Sequence, residues 1–68
     1  MTCVGILGGG QLARMMVLAG APLGLRFRIF DPSPDACAGQ LAPLVTGAFD
    51  DLAALAEFAA SVDVVTFD

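Results

Sequence analysis

Sixty-eight residues, 57% of them hydrophobic and 15% charged, make a chain too apolar for disorder and sized for one small domain at most. The formal net charge is −4, Arg14, Arg26 and Arg28 are the only cations, and lysine and histidine are absent. These counts exclude a counterion-displacing grip on nucleic acid, a Walker phosphate loop with its lysine, and any Ser-His-Asp or Cys-His pair within these residues.

The opening residues lack the positive n-region of a secretory signal, and three glycines soon break their apolar run. No stretch approaches the length of a membrane span. Residues 4–7 (Val-Gly-Ile-Leu) form a short apolar run closed by glycines, the pattern of a buried parallel strand, with Cys3 beside it as a small buried hydrophobe. Leu12, Met15, Met16, Ala19 and Leu23 then recur at helical spacing and predict a core-facing stripe, with Met15 and Met16 in the core. Pro22 should end or distort the last turn, and Gly24 supplies a stop. Residues 26–30 alternate as a second strand does and run into Asp31-Pro32-Ser33-Pro34-Asp35, a turn cluster in which two prolines fix φ and donate no amide. A helical turn is expected over residues 36–40, with Cys37 in an exposed polar loop, and a short third strand over residues 44–46. Asp50 predicts the N-cap of a second helix in which Leu52, Leu55, Ala56 and Ala59 repeat the helical spacing. Residues 62–67 read as a last strand before Asp68.

Strand, helix, strand, loop, strand, helix, strand is the order of an α/β fold: a Rossmann-like parallel sheet with crossover helices. So apolar a surface on so short a chain implies that other protein covers it, so the domain is expected to be incomplete within residues 1–68. The two cysteines have neither metal spacing nor a disulfide pattern, which suits a reducing cytoplasm.

Ligands of such sheets bind beyond the carboxyl ends of the strands, and the Gly8–Gly9–Gly10–Gln11 turn, Asp31 and Asp68 all fall there. Gly8-Gly9-Gly10-Gln11-Leu12-Ala13 fits G-x-G-x-x-G/A. Gly8 permits the tight turn, Gly10 keeps a Cβ out of the ligand's path, and Ala13 lets helix and strand approach. Free amides at the helix start then suit an anion such as phosphate; the competing reading is a turn that serves packing alone. Asp31 follows the second strand at about the 20-residue offset of a ribose-binding acid, but an aspartate before proline is also a common turn starter. Arg14 could approach an anion at the helix start or simply face solvent. Asp50 and Asp51 are read as a cap and an acidic first turn, in preference to a carboxylate pair for a metal.

Gly5-Ile6-Leu7-Gly8-Gly9-Gly10-Gln11-Leu12-Ala13-Arg14-Met15, Pro22-Leu23-Gly24, Asp31-Pro32-Ser33-Pro34-Asp35-Ala36 and Asp63-Val64-Val65-Thr66-Phe67 together resemble the amino terminus of the 5-(carboxyamino)imidazole ribonucleotide synthases, ATP-grasp enzymes of microbial purine biosynthesis. The resemblance implies that residues 1–68 are the amino-terminal part of a Rossmann-like pre-ATP-grasp domain that does not bind NAD. The ATP-grasp and carboxy-terminal domains are absent from this chain. It also implies the reaction: a carbon–nitrogen ligase joins 5-aminoimidazole ribonucleotide to bicarbonate at the expense of ATP, through carboxyphosphate, with magnesium. ATP and magnesium would bind outside this chain, which would hold no catalytic residue and would not catalyse the reaction alone. Substrate contacts are implied for Gly8, Gly9, Gly10, Gln11 and Leu12, and for Asp68, where the family usually has glutamate. Cys37 stands where proline is common, and Ala42-Pro43-Leu44 replaces a usually more acidic stretch. A cytoplasmic homodimer with no membrane or nucleic-acid partner is implied for the complete protein. The alternative is half of an NAD-binding domain from a dehydrogenase or nucleotide sensor, and a further one is a non-catalytic module with a structural glycine turn. Gln11 directly after the glycines and the prolines after Asp31 favour the ligase.

Overall fold

A computed structural model describes residues 2–68. Four strands form one wholly parallel sheet: β1 (Cys3–Leu7), β2 (Arg26–Asp31), β3 (Leu44–Thr46) and β4 (Val64–Phe67), in the spatial order β3-β2-β1-β4. Helix α1 (Gln11–Gly20) leads from β1 to β2, and helix α2 (Leu52–Ala60) leads from β3 to β4. A single 3-10 turn at Cys37–Gln40 takes the place of a helix between β2 and β3. The architecture is the expected α/β one.

Alternation along β2 divides the core between two faces. Phe27 and Ile29 join Ile6, Ala13, Val17 and Ala38 under α1 and the 3-10 turn. Phe30 points the other way, its ring 5.4 Å from that of Phe58 on α2 and 6.1 Å from that of Phe49, and the Arg28 guanidinium lies 5.9 Å from the Phe58 ring centre. The helices therefore cover opposite faces, as right-handed crossovers require when the chain reverses its direction of travel across the sheet.

Both helices turn inward a side other than the full stripe that helical spacing picks out. The inward side of α1 is Ala13, Val17 and Gly20, with Met16 half-buried beside them, whereas Leu12, Met15 and Leu18 are each about half exposed and Leu23 more so. Small residues win because they let α1 lie close on the sheet: a Cβ at Gly20 would run into the Phe27 ring. Met15 is thus not a core residue. In α2 the buried residue is Phe58, while Leu52 is 77% exposed and Ala56 and Ala59 are also exposed. The helix is capped one residue later than expected, by Asp51, whose Oδ1 accepts the Ala54 N–H at 3.1 Å. Helix α1 ends before Pro22, and Gly24, at φ +85°, closes the following 3-10 turn (Ala21–Leu23). Cys3 and Cys37 are both half-buried thiols.

Candidate functional site

Register builds the site. Leu7 pairs with Phe30 on one side and Phe67 on the other, so the next residues of each strand, Gly8, Asp31 and Asp68, stand side by side beyond the carboxyl edge. The chain reverses direction across the sheet between β1 and β4, and such a switch point is where open α/β sheets hold ligands.

Three glycines turn β1 into α1. Gly8 adopts φ +100°, a conformation L side chains rarely take, and its N–H donates to the Phe30 carbonyl at 2.7 Å. Gly9 is buried, its N–H donating to Asp31 Oδ2 at 2.7 Å and its carbonyl accepting the Ala38 N–H at 2.9 Å. Gly10 caps α1 with an ordinary extended backbone, φ −82°, and no capping side chain of its own. Its cap comes from across the sheet: Asp68 Oδ2 accepts the Gly10 N–H at 3.0 Å and the Ala13 N–H at 3.4 Å. The backbone N–H of Asp68 donates to the Leu7 carbonyl at 2.9 Å and fixes that reach.

The amides expected to stand free for an anion are therefore partly occupied. Two carboxylates from the strands flanking β1 hold the turn, Asp31 at Gly9 and Asp68 at Gly10 and Ala13. Among the described residues, the N–H groups of Gln11 and Leu12 are the first-turn amides that take no partner within the chain. Both side chains are exposed at the crest of the turn. A carboxylate already at the helix start repels phosphate from that spot and favours hydroxyl donors there.

Asp31 is the turn starter, not a free acid. Its Oδ1 accepts the Ser33 N–H at 2.8 Å while Oδ2 holds Gly9, so both oxygens are engaged with backbone. Cys37 was not singled out by its spacing, yet its thiol approaches the Gly9 carbonyl at 3.6 Å and Gln11 Oε1 at 3.9 Å. Sequence spacing carries no sign of that contact. Arg14 is half-buried on α1, and Asp50 is exposed while Asp51 serves the α2 cap. A depression of about 560 Å³ lies at the far end of the sheet, among Cys3, Leu25 and Arg26, where the strands begin. It is remote from the turn and from the edge where this fold class binds ligands.

Among the described residues no helix is long and apolar enough to cross a membrane. Several known proteins are similar to this chain in sequence and fold. The N5-carboxyaminoimidazole ribonucleotide synthase of Pseudomonas aeruginosa is 48% identical over 65 residues, covering 96% of this chain and 18% of that protein. The crystal structure of the N5-carboxyaminoimidazole ribonucleotide synthetase from Thermus thermophilus superposes with a TM-score of 0.91 at 60% identity, over 96% of this chain and 18% of that one. The corresponding synthetase from Staphylococcus aureus, complexed with ADP, gives a TM-score of 0.93 at 32% identity, over 98% and 18%. The chain thus spans about a fifth of the length of these relatives. The model of the ribonucleotide synthetase preATP-grasp domain matches residues 1–68, and the chain belongs to that family.

Proposed function

We propose that this chain is the amino-terminal, substrate-facing part of an ATP-dependent carbon–nitrogen ligase that carboxylates 5-aminoimidazole ribonucleotide with bicarbonate in purine biosynthesis. The observation that carries the reading is the crest of the turn. Gln11 and Leu12 offer two unpaired amides between the Gly10 and Ala13 amides that Asp68 holds, and Gln11 adds an exposed side chain whose Oε1 lies 3.9 Å from the Cys37 thiol, at the switch point of a preATP-grasp domain. Gly8 and Gly10 let this backbone come close to the Asp68 side chain, which stands 2.9 Å from the Cβ position of each, and Gly9 supports it from beneath.

Each group has a chemical task. The Gln11 and Leu12 amides donate to acceptor oxygens of the ribonucleotide, and the Gln11 carboxamide both donates and accepts. Asp68 uses Oδ2 to cap α1, and Oδ1, outside that grip, suits a ribose hydroxyl. In the complete protein ATP, with magnesium, supplies the activation of bicarbonate. No residue of this chain is placed in that step. The proposal includes a cytoplasmic homodimer for the complete protein, which sedimentation tests.

Titration calorimetry on the complete protein is the test. 5-Aminoimidazole ribonucleotide should bind, Gln11→Ala should weaken it by a few-fold to about tenfold, the worth of one or two hydrogen bonds, and NAD should not bind. NAD binding that Asp31→Ala abolishes, with no affinity for the ribonucleotide, would establish the dehydrogenase alternative in its place.

A further inference from the structure

Asp31 lies outside the set of residues proposed to touch substrate, yet its carboxylate makes two short hydrogen bonds, one to the glycine turn and one within its own loop. Oδ2 accepts the Gly9 N–H at 2.7 Å and Oδ1 the Ser33 N–H at 2.8 Å, lengths typical of charge-assisted bonds. The second bond spans Pro32, which has no N–H and a fixed φ, so the carboxylate sits on a stiff loop. The same loop returns to Gly9 from the other side: the Ala38 N–H donates to the Gly9 carbonyl at 2.9 Å, with the Cys37 thiol 3.6 Å away. The peptides before and after Gly9 are therefore both held by residues 31–38.

Packing agrees with the hydrogen bonds. A Cβ at Gly9 would stand 2.8 Å from Ala36 Cβ and 3.0 Å from Ile29 Cγ2, so the loop rests directly on the glycine backbone. A run of three glycines has the most backbone freedom to lose, and this one leads without interruption into Gln11 and Leu12. The direction of those two amides is set two and three residues beyond the anchored peptide.

We infer that Asp31 is a positioning residue for the ribonucleotide: its carboxylate locks the Gly9 peptide and thereby aims the Gln11 and Leu12 amides at the substrate. The inference rests on the functional reading above. Asp31 occupies the place of the ribose-binding acid of dinucleotide folds but turns both oxygens inward, to the backbone of its own domain.

The complete protein, wild type and with Asp31→Ala or Asp31→Asn, provides the test. Alanine should raise the KM for 5-aminoimidazole ribonucleotide about tenfold, the loss of a hydrogen bond to a charged group, while kcat and the KM for ATP stay at their wild-type values. Asparagine keeps one acceptor oxygen but turns an NH2 group toward the other amide, so its KM should fall between. With 15N-glycine labelling, hydrogen exchange at Gly9 should accelerate in Asp31→Ala while Gly5, inside β1, keeps its protection. Unchanged Gly9 exchange overturns the inference whatever the ligand. So does faster exchange with an unchanged ribonucleotide KM, or equal rises for both substrates, since a merely structural role would give these. A wild-type protein that binds no 5-aminoimidazole ribonucleotide defeats the functional reading, and with it the aiming role, even if Gly9 exchange shows that Asp31 holds the turn.

Discussion

Gly8 and Gly10 look interchangeable in the motif, but they serve different ends. Gly8 sits at φ +100° with its missing Cβ 2.9 Å from Asp68 Cβ, so Gly8→Ala should cost about 1–3 kcal/mol through backbone strain, seen as a lower urea midpoint with an unchanged slope. Gly10 has an ordinary φ, and what a side chain meets there is Asp68 Oδ2, at 2.9 Å from the Cβ position. Gly10→Val should therefore push the carboxylate off the Gly10 and Ala13 amides and raise the KM for the ribonucleotide far more than that for ATP. Equal changes for the two substrates would make the turn a packing device only. The tight turn was legible from glycine spacing and the strand before it. The occupant of the helix start was not, because Asp68 lies 58 residues from Gly10 and no local pattern connects them.

Elements were legible in kind and order, less so in orientation. Short apolar runs bounded by glycine or proline place β1 and β3, and alternation closed by Asp31-Pro32 places β2, almost to the residue. Helical spacing identified α1 and α2 but did not select the side that each turns inward. Two apolar arcs on one short helix are equivalent to a periodicity argument until the sheet's demand for close approach selects the small one, Ala13 and Gly20. Phe58 and Leu52 separate the two arcs of α2 experimentally. Phe58 is 3% exposed and packs on Phe30, so Phe58→Ala should cost about 3–5 kcal/mol, as large as much of the stability of a domain this size. Leu52, 77% exposed, should cost within about 0.5 kcal/mol on truncation to alanine. Denaturant titration followed by circular dichroism compares them, and a larger loss at Leu52 would restore the arc that periodicity suggests.

For the molecule as a whole, the excess of apolar residues finds its location at β4. Its partner β1 is covered by helices on both faces, but Val64, Val65 and Phe67 are 51%, 43% and 76% exposed, and the outer edge of β4 pairs with no strand among the described residues. Sequence composition announced such a surface without saying where it lies, because the position of β4 at the sheet edge is a property of the topology. Parallel strands are normally covered on both faces, and an open, apolar edge is a template for further pairing. The 68-residue chain on its own should therefore self-associate, with a sedimentation coefficient that rises with concentration, and should melt below about 65 °C, the upper end of the ordinary mesophilic range. Replacing Val65 and Phe67 together by lysine puts charge on the exposed side of β4 without touching Ile6, Ile29 or Phe30, the fully buried core. That pair of changes should abolish the concentration dependence while leaving the far-ultraviolet spectrum intact. If association persists, the half-exposed stripe of Leu12, Met15 and Leu18 on α1 is the surface that drives it, and charges placed there should disperse the chain instead. A wild-type chain that stays monomeric and melts cooperatively above that temperature would mean that two helices and four strands suffice, with β4 stable as an open edge.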